Sequence, residues 1–82
     1  MPKAEKLLER MRATKAGWGY DDLDRVYIGY GFNKREGSSH AFYYHPEHPD
    51  ICATVSRNRK LAKGYISDAI KNIDELNRRK GV

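Results

Sequence analysis

The feature that most constrains how this chain can fold is a hydrophobic period that changes twice along it. In residues 3–15, "KAEKLLERMRATK", Ala4, Leu7, Leu8 and Met11 recur at i, i+3, i+4 and i+7, with charged residues between them. That spacing lays one apolar stripe along a helix. Ala16-Gly17 ends it, and "GWGY" is a short joint in which Trp18 is expected to anchor packing between two helices. A second helix is read in "DDLDRVYIGYGF", where Leu23, Val26, Tyr27 and Tyr30 repeat the spacing. Asp21 or Asp22 is expected at its cap and Gly31 at its left-handed exit, with Gly29 weakening the last turn. The period then falls to two. "FNKRE", "HAFYYH" and "ICATVS" read as short strands, separated by Gly37-Ser38-Ser39 and by the proline-containing loop "PEHPD". The basic connection "RNRKLAKG" follows, and the helical period returns after Gly64 with Ile66, Ala69, Ile70, Ile73 and Leu76. The terminal "NRRKGV" reads as a frayed, charged tail.

The order α-α-β-β-β-α implies an α+β domain, an antiparallel three-stranded meander with helices on one face. The other face is left open to a partner or substrate. Alternation along the middle strand puts His40, Phe42 and Tyr44 on one side and Ala41, Tyr43 and His45 on the other. Both sides are aromatic, so this strand alone does not reveal which is core. The 82 residues suffice for one domain, 1–82, and not two.

The charge is uneven. Residues 1–32 carry six Lys/Arg against five Asp/Glu, and residues 33–82 carry ten against six. Between Asp50 and Asp68 stand Arg57, Arg59, Lys60 and Lys63 with no acid. A basic cluster beside a sheet is an electrostatic footprint for phosphate, although a solvated face has the same composition. The single Cys52 rules out an internal disulfide, and the chain shows neither a signal peptide nor an apolar run near membrane length. These features point to the cytoplasm.

His40, His45 and His48 lie close together, with Asp50 and Cys52 behind them. The helical or Cys-x-x-Cys geometry of a zinc site is missing, so neither a metal nor a cofactor is assigned. No Ser-His-Asp pattern, carboxylate pair or phosphate-cradling glycine loop is present either. An enzyme with so few groups can still cleave RNA. The nucleophile is the substrate's own 2′-hydroxyl, an imidazole moves the proton, and Lys and Arg stabilise the phosphate charge. His40 with Lys34, Arg35 and the cations of 57–63 supplies that minimal set.

The segments "LDRVYIGYGF", "REGSSHAFYYHP", "ATVS" and "KGYISDAI", in this order, resemble the HicA toxins. These are small mRNA interferases of type II toxin–antitoxin systems. Leu23, Val26, Tyr27, Tyr30, Gly31 and Phe32 match the family's helix ending in Gly-Phe. Ser39-His40 matches its Ser-His, His45-Pro46 falls five residues later, Thr54-Val55 matches the third strand, and Lys63-Gly64 opens the last helix. The match covers residues 21–76, with the helix before residue 17 outside the minimal pattern.

The resemblance implies a fold like the double-stranded-RNA-binding domain and metal-independent cleavage of single-stranded RNA or mRNA with His40 as the catalytic residue. It also implies a HicB-type antitoxin that blocks the site; the charge pattern, with Ser39 beside His40, marks Lys34, Arg35, Ser39, Arg57, Arg59, Lys60 and Lys63 as the expected RNA-binding residues. The Gly-Ser-Ser turn is then expected to let the RNA backbone approach His40, or else to be only a hairpin. Three positions depart from the pattern. Ser38 stands where the family has glycine, with Gly37 one residue early, Ser56 replaces a proline, and Tyr65 replaces a threonine read as a capping hydroxyl. Two other readings share the composition. One is a non-catalytic RNA-binding module, and the other is an interaction protein that uses Phe42, Tyr43 and Tyr44. A homodimer is a further expectation, resting on the open sheet face and the apolar stripe of the first helix.

Overall fold

The structure, a computed structural model, describes residues 3–81; Met1, Pro2 and Val82 lie outside them. Its elements are α1 (Lys3–Ala13), α2 (Tyr20–Gly29), β1 (Asn33–Glu36), β2 (His40–Tyr44), β3 (Cys52–Ser56) and α3 (Lys63–Lys80). The strands pair antiparallel in the order β1-β2-β3. The protein is therefore α+β in the order that its periodicity implies.

The helix α1 buries Ala4, Leu8 and Met11, so most of its stripe is consumed inside the chain. Leu7 of that stripe is only half-buried, and Ile28 of α2 is exposed. Neither Asp21 nor Asp22 occupies the cap of α2. Gly19 does, and the Asp22 carboxylate reaches back to accept its N–H at 2.9 Å. The exit of α2 is a closed motif. Gly31 has φ +89°, its N–H donates to Ile28 O at 3.1 Å, and the Phe32 N–H donates to Tyr27 O at 3.0 Å. The rings of Tyr27 and Phe32 seal it with centroids 4.9 Å apart.

Gly29 has another role than weakening this end. A Cβ built there would overlap the Ala4 Cβ, so the glycine is where α1 crosses α2 closely. Two boundaries of α3 also differ from expectation. Ala62 is the cap and Gly64 lies inside the first turn, so a hydroxyl at position 65 would not stand at the cap. The "NRRK" segment is helical to Lys80 rather than frayed. Leu76 is buried beneath it, and Arg79 grips Asp50 at 2.9 and 2.6 Å and Glu75 at 2.9 Å.

Register decides the faces of the sheet. Ala41 pairs with Val55 and Tyr43 with Ala53. Ala41, Tyr43 and Val55 are buried under the helices, packed with Leu8, Met11, Leu23, Val26, Tyr27, Ile66, Ile73 and Leu76. Tyr27 stacks on Tyr43 at 4.9 Å. Its hydroxyl accepts from Asn72 at 3.2 Å, and burial pushes the phenol up to about 12. The strand positions between these face away: Asn33, Arg35, His40, Phe42, Tyr44, Cys52, Thr54 and Ser56. Among the described residues, no helix is long and apolar enough to cross a membrane.

Candidate functional site

His40 opens β2, immediately after the turn that joins it to β1. The turn is closed by the Gly37 N–H, which donates to His40 O at 2.8 Å. A Cβ on residue 37 would stand 3.0 Å from that oxygen, which explains why the glycine sits at 37. Ser38 has no positive φ, so its side chain is accommodated without backbone strain. The turn is thus a hairpin by construction. Ser38, Ser39 and His40 are all exposed at its tip.

The His40 imidazole points to the open side of the sheet, opposite Ser56 on β3. Its Nδ1 lies 3.1 Å from Ser39 Oγ, its one side-chain hydrogen-bond partner among the described residues. The Arg57 N–H donates to Ser39 O at 3.2 Å, so the chain leaves the sheet for its basic connection directly beside His40. That connection is held to the α1–α2 joint. The Tyr20 N–H donates to Asn58 O at 3.0 Å and the Leu61 N–H to Trp18 O at 2.8 Å. Trp18 is the expected packing anchor: half-buried against the core, it donates through Nε1 to Thr14 O at 2.8 Å.

The seven residues read as RNA-binding separate into two sets. Lys34 pairs with Tyr43 across the sheet and so faces the helices. Its Nζ lies 3.0 Å from Asp24 Oδ1, 3.2 Å from Glu36 Oε1 and 3.2 Å from the Tyr20 hydroxyl. The Asp24 hydrogen bond holds the ammonium well above the usual lysine range. Arg57 lies 3.4 Å from Glu36 and 5.4 Å over the Tyr20 ring. Both charges are therefore already balanced inside the fold. Tyr43 joins the same cluster through a 2.6 Å hydrogen bond to Asp24, and burial raises its phenol further.

The remaining cations are available. Arg35 sits on the open face opposite Phe42, and Arg59, Lys60 and Lys63 are exposed along the connection and the start of α3. None of the four makes a salt bridge among the described residues. Ser39 lies between the two groups at the hairpin tip. The structure thus brings His40, Ser39 and Arg35 to one end of the open face, next to the root of the 57–63 segment.

The other histidines stand apart. His45 is buried, its ring edge-on to Phe32 at 5.4 Å, and its Nδ1 accepts the Glu47 N–H at 3.1 Å. Burial lowers its pKa, with Lys80 and His48 adding to the effect. No three His, Cys, Asp or Glu side chains converge on one point among the described residues.

Two aromatics read from sequence only as contacts for a protein partner, Phe42 and Tyr44, stand on the open face with His40, whereas Tyr43, read with them, is buried. Phe42 is 37% exposed, and its ring lies 5.9 Å from that of Tyr44 at an interplanar angle of 27°. The signal for their placement lies in β3, not in β2. Ile51, Ala53 and Val55 alternate with Cys52, Thr54 and Ser56, a more one-sided pattern than that of β2, which assigns the faces of both strands once they pair. Comparison of the chain with protein-family models, with curated proteins and with solved structures returns no match.

Proposed function

We propose that this protein is a metal-independent endoribonuclease of HicA type, the toxin of a type II toxin–antitoxin pair, acting on single-stranded RNA or mRNA in the cytoplasm. One observation carries the reading. An exposed imidazole, His40, stands at a hairpin tip on a strand face with no carboxylate; Arg35 shares that face, and Arg59, Lys60 and Lys63, which make no salt bridge among the described residues, lie on the connection that starts beside the tip. Acidic neighbours would repel the substrate phosphate, and all three strands keep theirs off this face. Their one acid, Glu36, points to the helices.

The chemistry needs little more. The ribose 2′-oxygen attacks the adjacent phosphorus, the bond from phosphorus to the 5′-oxygen breaks, and a cyclic phosphate remains on the upstream strand. The 2′-hydroxyl loses a proton and the departing oxygen gains one. His40 serves one of these transfers and water the other. Arg35, with Arg59, Lys60 and Lys63, offsets the charge on the phosphorane. Lys34 and Arg57, tied to Asp24 and Glu36, hold β1 and the connection in place. A HicB-type antitoxin would inhibit by covering the same basic end.

The test is incubation of a long single-stranded RNA with the protein and excess chelator, beside His40→Ala. Loss of the imidazole is expected to slow cleavage by about 10²-fold or more. Cleavage by the variant at the wild-type rate would refute the assignment. A second reading, a non-catalytic RNA-binding module, is favoured by the sparse partners of His40. No carboxylate orients the ring, and Ser39 is its one side-chain partner among the described residues. It predicts intact RNA with binding that weakens steeply in salt.

A further inference from the structure

The open face carries more than a proton-transfer group. Its residues run in cross-strand rows. Arg35, Phe42 and Thr54 form one row, Asn33, Tyr44 and Cys52 the next, and His40 with Ser56 lies at the turn end. Along β2 the sequence of side chains is therefore imidazole, phenyl, phenol, each two residues from the last. Phe42 is one of only two large apolar side chains left exposed among the described residues. Its position beside His40 is the most specific unexplained feature of the surface.

From this row, and resting on the RNA reading above, we propose that Phe42 and Tyr44 form a stacking platform for two consecutive unpaired nucleobases of single-stranded RNA. The platform would set which nucleotide reaches His40. Three observations argue for a nucleic acid strand here. Aromatic rings exposed on a sheet face bind bases through their flat surfaces, irrespective of sequence. The strand residues on this face include a guanidinium and hydroxyl and amide groups but no carboxylate, the one strand acid, Glu36, lying on the helix side. The apolar surface of this face is limited to one half-exposed and one half-buried ring, whereas the core of a protein–protein interface is largely apolar.

Geometry selects single strands over duplex. The two ring centroids are 5.9 Å apart. Bases stacked in a helix rise by about 3.4 Å. Two bases lying on Phe42 and Tyr44 cannot also remain stacked on each other, so the strand must be splayed. With the bases on these rings, the sugar–phosphate between the Phe42 base and its neighbour passes toward His40, about 7 Å further along the strand. Arg35, across from Phe42, is placed to meet the phosphate or to stack on the same base.

The experiment uses a fluorescein-labelled RNA of about ten nucleotides, a length within the range that one small sheet platform engages. Binding is read by anisotropy in the His40→Ala background, and cleavage in the presence of His40. Phe42→Leu and Tyr44→Leu keep apolar bulk and remove the ring, while Phe42→Trp enlarges it. Each Leu variant is expected to weaken single-strand binding by about tenfold, with duplex RNA unaffected and Phe42→Trp at wild-type strength or tighter. The cleavage pattern should shift in the Leu variants, because the register at His40 is no longer held. Wild-type affinity and pattern in both Leu variants, with His40-dependent cleavage intact, would overturn the platform and leave the ribonuclease reading standing. Ring-dependent binding without any cleavage would overturn the ribonuclease reading and leave the platform. No binding of the oligonucleotide at all would sink both.

Discussion

Replacing Gly29 by alanine sets two effects of opposite sign against each other at one atom. Position 29 is the last residue of α2, where alanine improves helix propensity by up to about 1 kcal/mol. The added Cβ would overlap the Ala4 Cβ, far inside the roughly 3.5–4.0 Å of an ordinary carbon contact. Neither partner is the flexible end of a side chain, because both Cβ atoms are fixed to helix backbone. Relief requires that α1 move as a body, and α1 is held by Leu8 and Met11 in the core and by Arg12, whose guanidinium donates to Asp74 of α3 at 3.0 Å. Overpacking of this kind costs about 1–3 kcal/mol. At the last helical position only part of the interior propensity gain applies, and with both Cβ atoms on helix backbone the clash lies toward the upper part of its range, so the net loss is expected at about 1–2 kcal/mol. In a domain of this size that lowers Tm by about 4–8 °C per kcal/mol. Urea melts of Gly29→Ala, Ala4→Gly and the double variant test the origin of the loss. With Ala4 also reduced to glycine the overlap disappears. Gly29→Ala made in that background should then be neutral or stabilising, with a coupling of about 1–3 kcal/mol between the two sites. A single Gly29→Ala variant as stable as wild type would refute the close crossing of α1 on α2 and the reason for a glycine there.

Two further outcomes test the parts that position the site. Tyr43→Phe removes the 2.6 Å hydrogen bond to Asp24 while Lys34 still satisfies that carboxylate, and should cost about 1–2 kcal/mol in a denaturant melt with the core otherwise intact; no loss would show that the cluster does not tie β2 to α2. His45 concerns pH. Burial depresses its folded pKa below the 6.5 of the free side chain, so the unfolded chain takes up a proton that the folded protein resists. Stability from the neutral ring is then fully present above about 6.5 and falls as pH drops through that value toward the folded pKa. Wild-type Tm should decrease between neutral and mildly acid pH, and His45→Asn should flatten that segment of the curve; an unchanged slope would place the acid sensitivity elsewhere.

How much of this was legible beforehand depends on how local the cause is. The three helices and three strands follow from spacing. An i, i+3, i+4, i+7 stripe or a two-residue alternation needs a covered face, whatever covers it. The Gly31 exit was equally readable, because a left-handed residue followed by an apolar one is a property of adjacent positions. Element ends were less so. The "NRRK" segment looks like a solvated tail until Asp50, far away in the chain, meets Arg79, and Gly29 looks like a helix weakener until Ala4 lies across it. For the site, His40 and its strand were visible in the residues, but the meaning of the surrounding charge was not. Lys34 and Arg35 are neighbours with the same sign, and the pleat sends one to Asp24 under the helices and the other to the open face.

The sequence by itself therefore determined the order of elements, the α+β class and the candidate groups for chemistry, because those depend on neighbours within a few residues. The tertiary structure decided which face of β2 is buried, which cations are already neutralised and which aromatics stand beside His40. Those depend on register and on contacts between residues distant in the chain. A strand with aromatic residues on both sides carries no preference of its own, so the alternation of β3, imposed through pairing, made the choice.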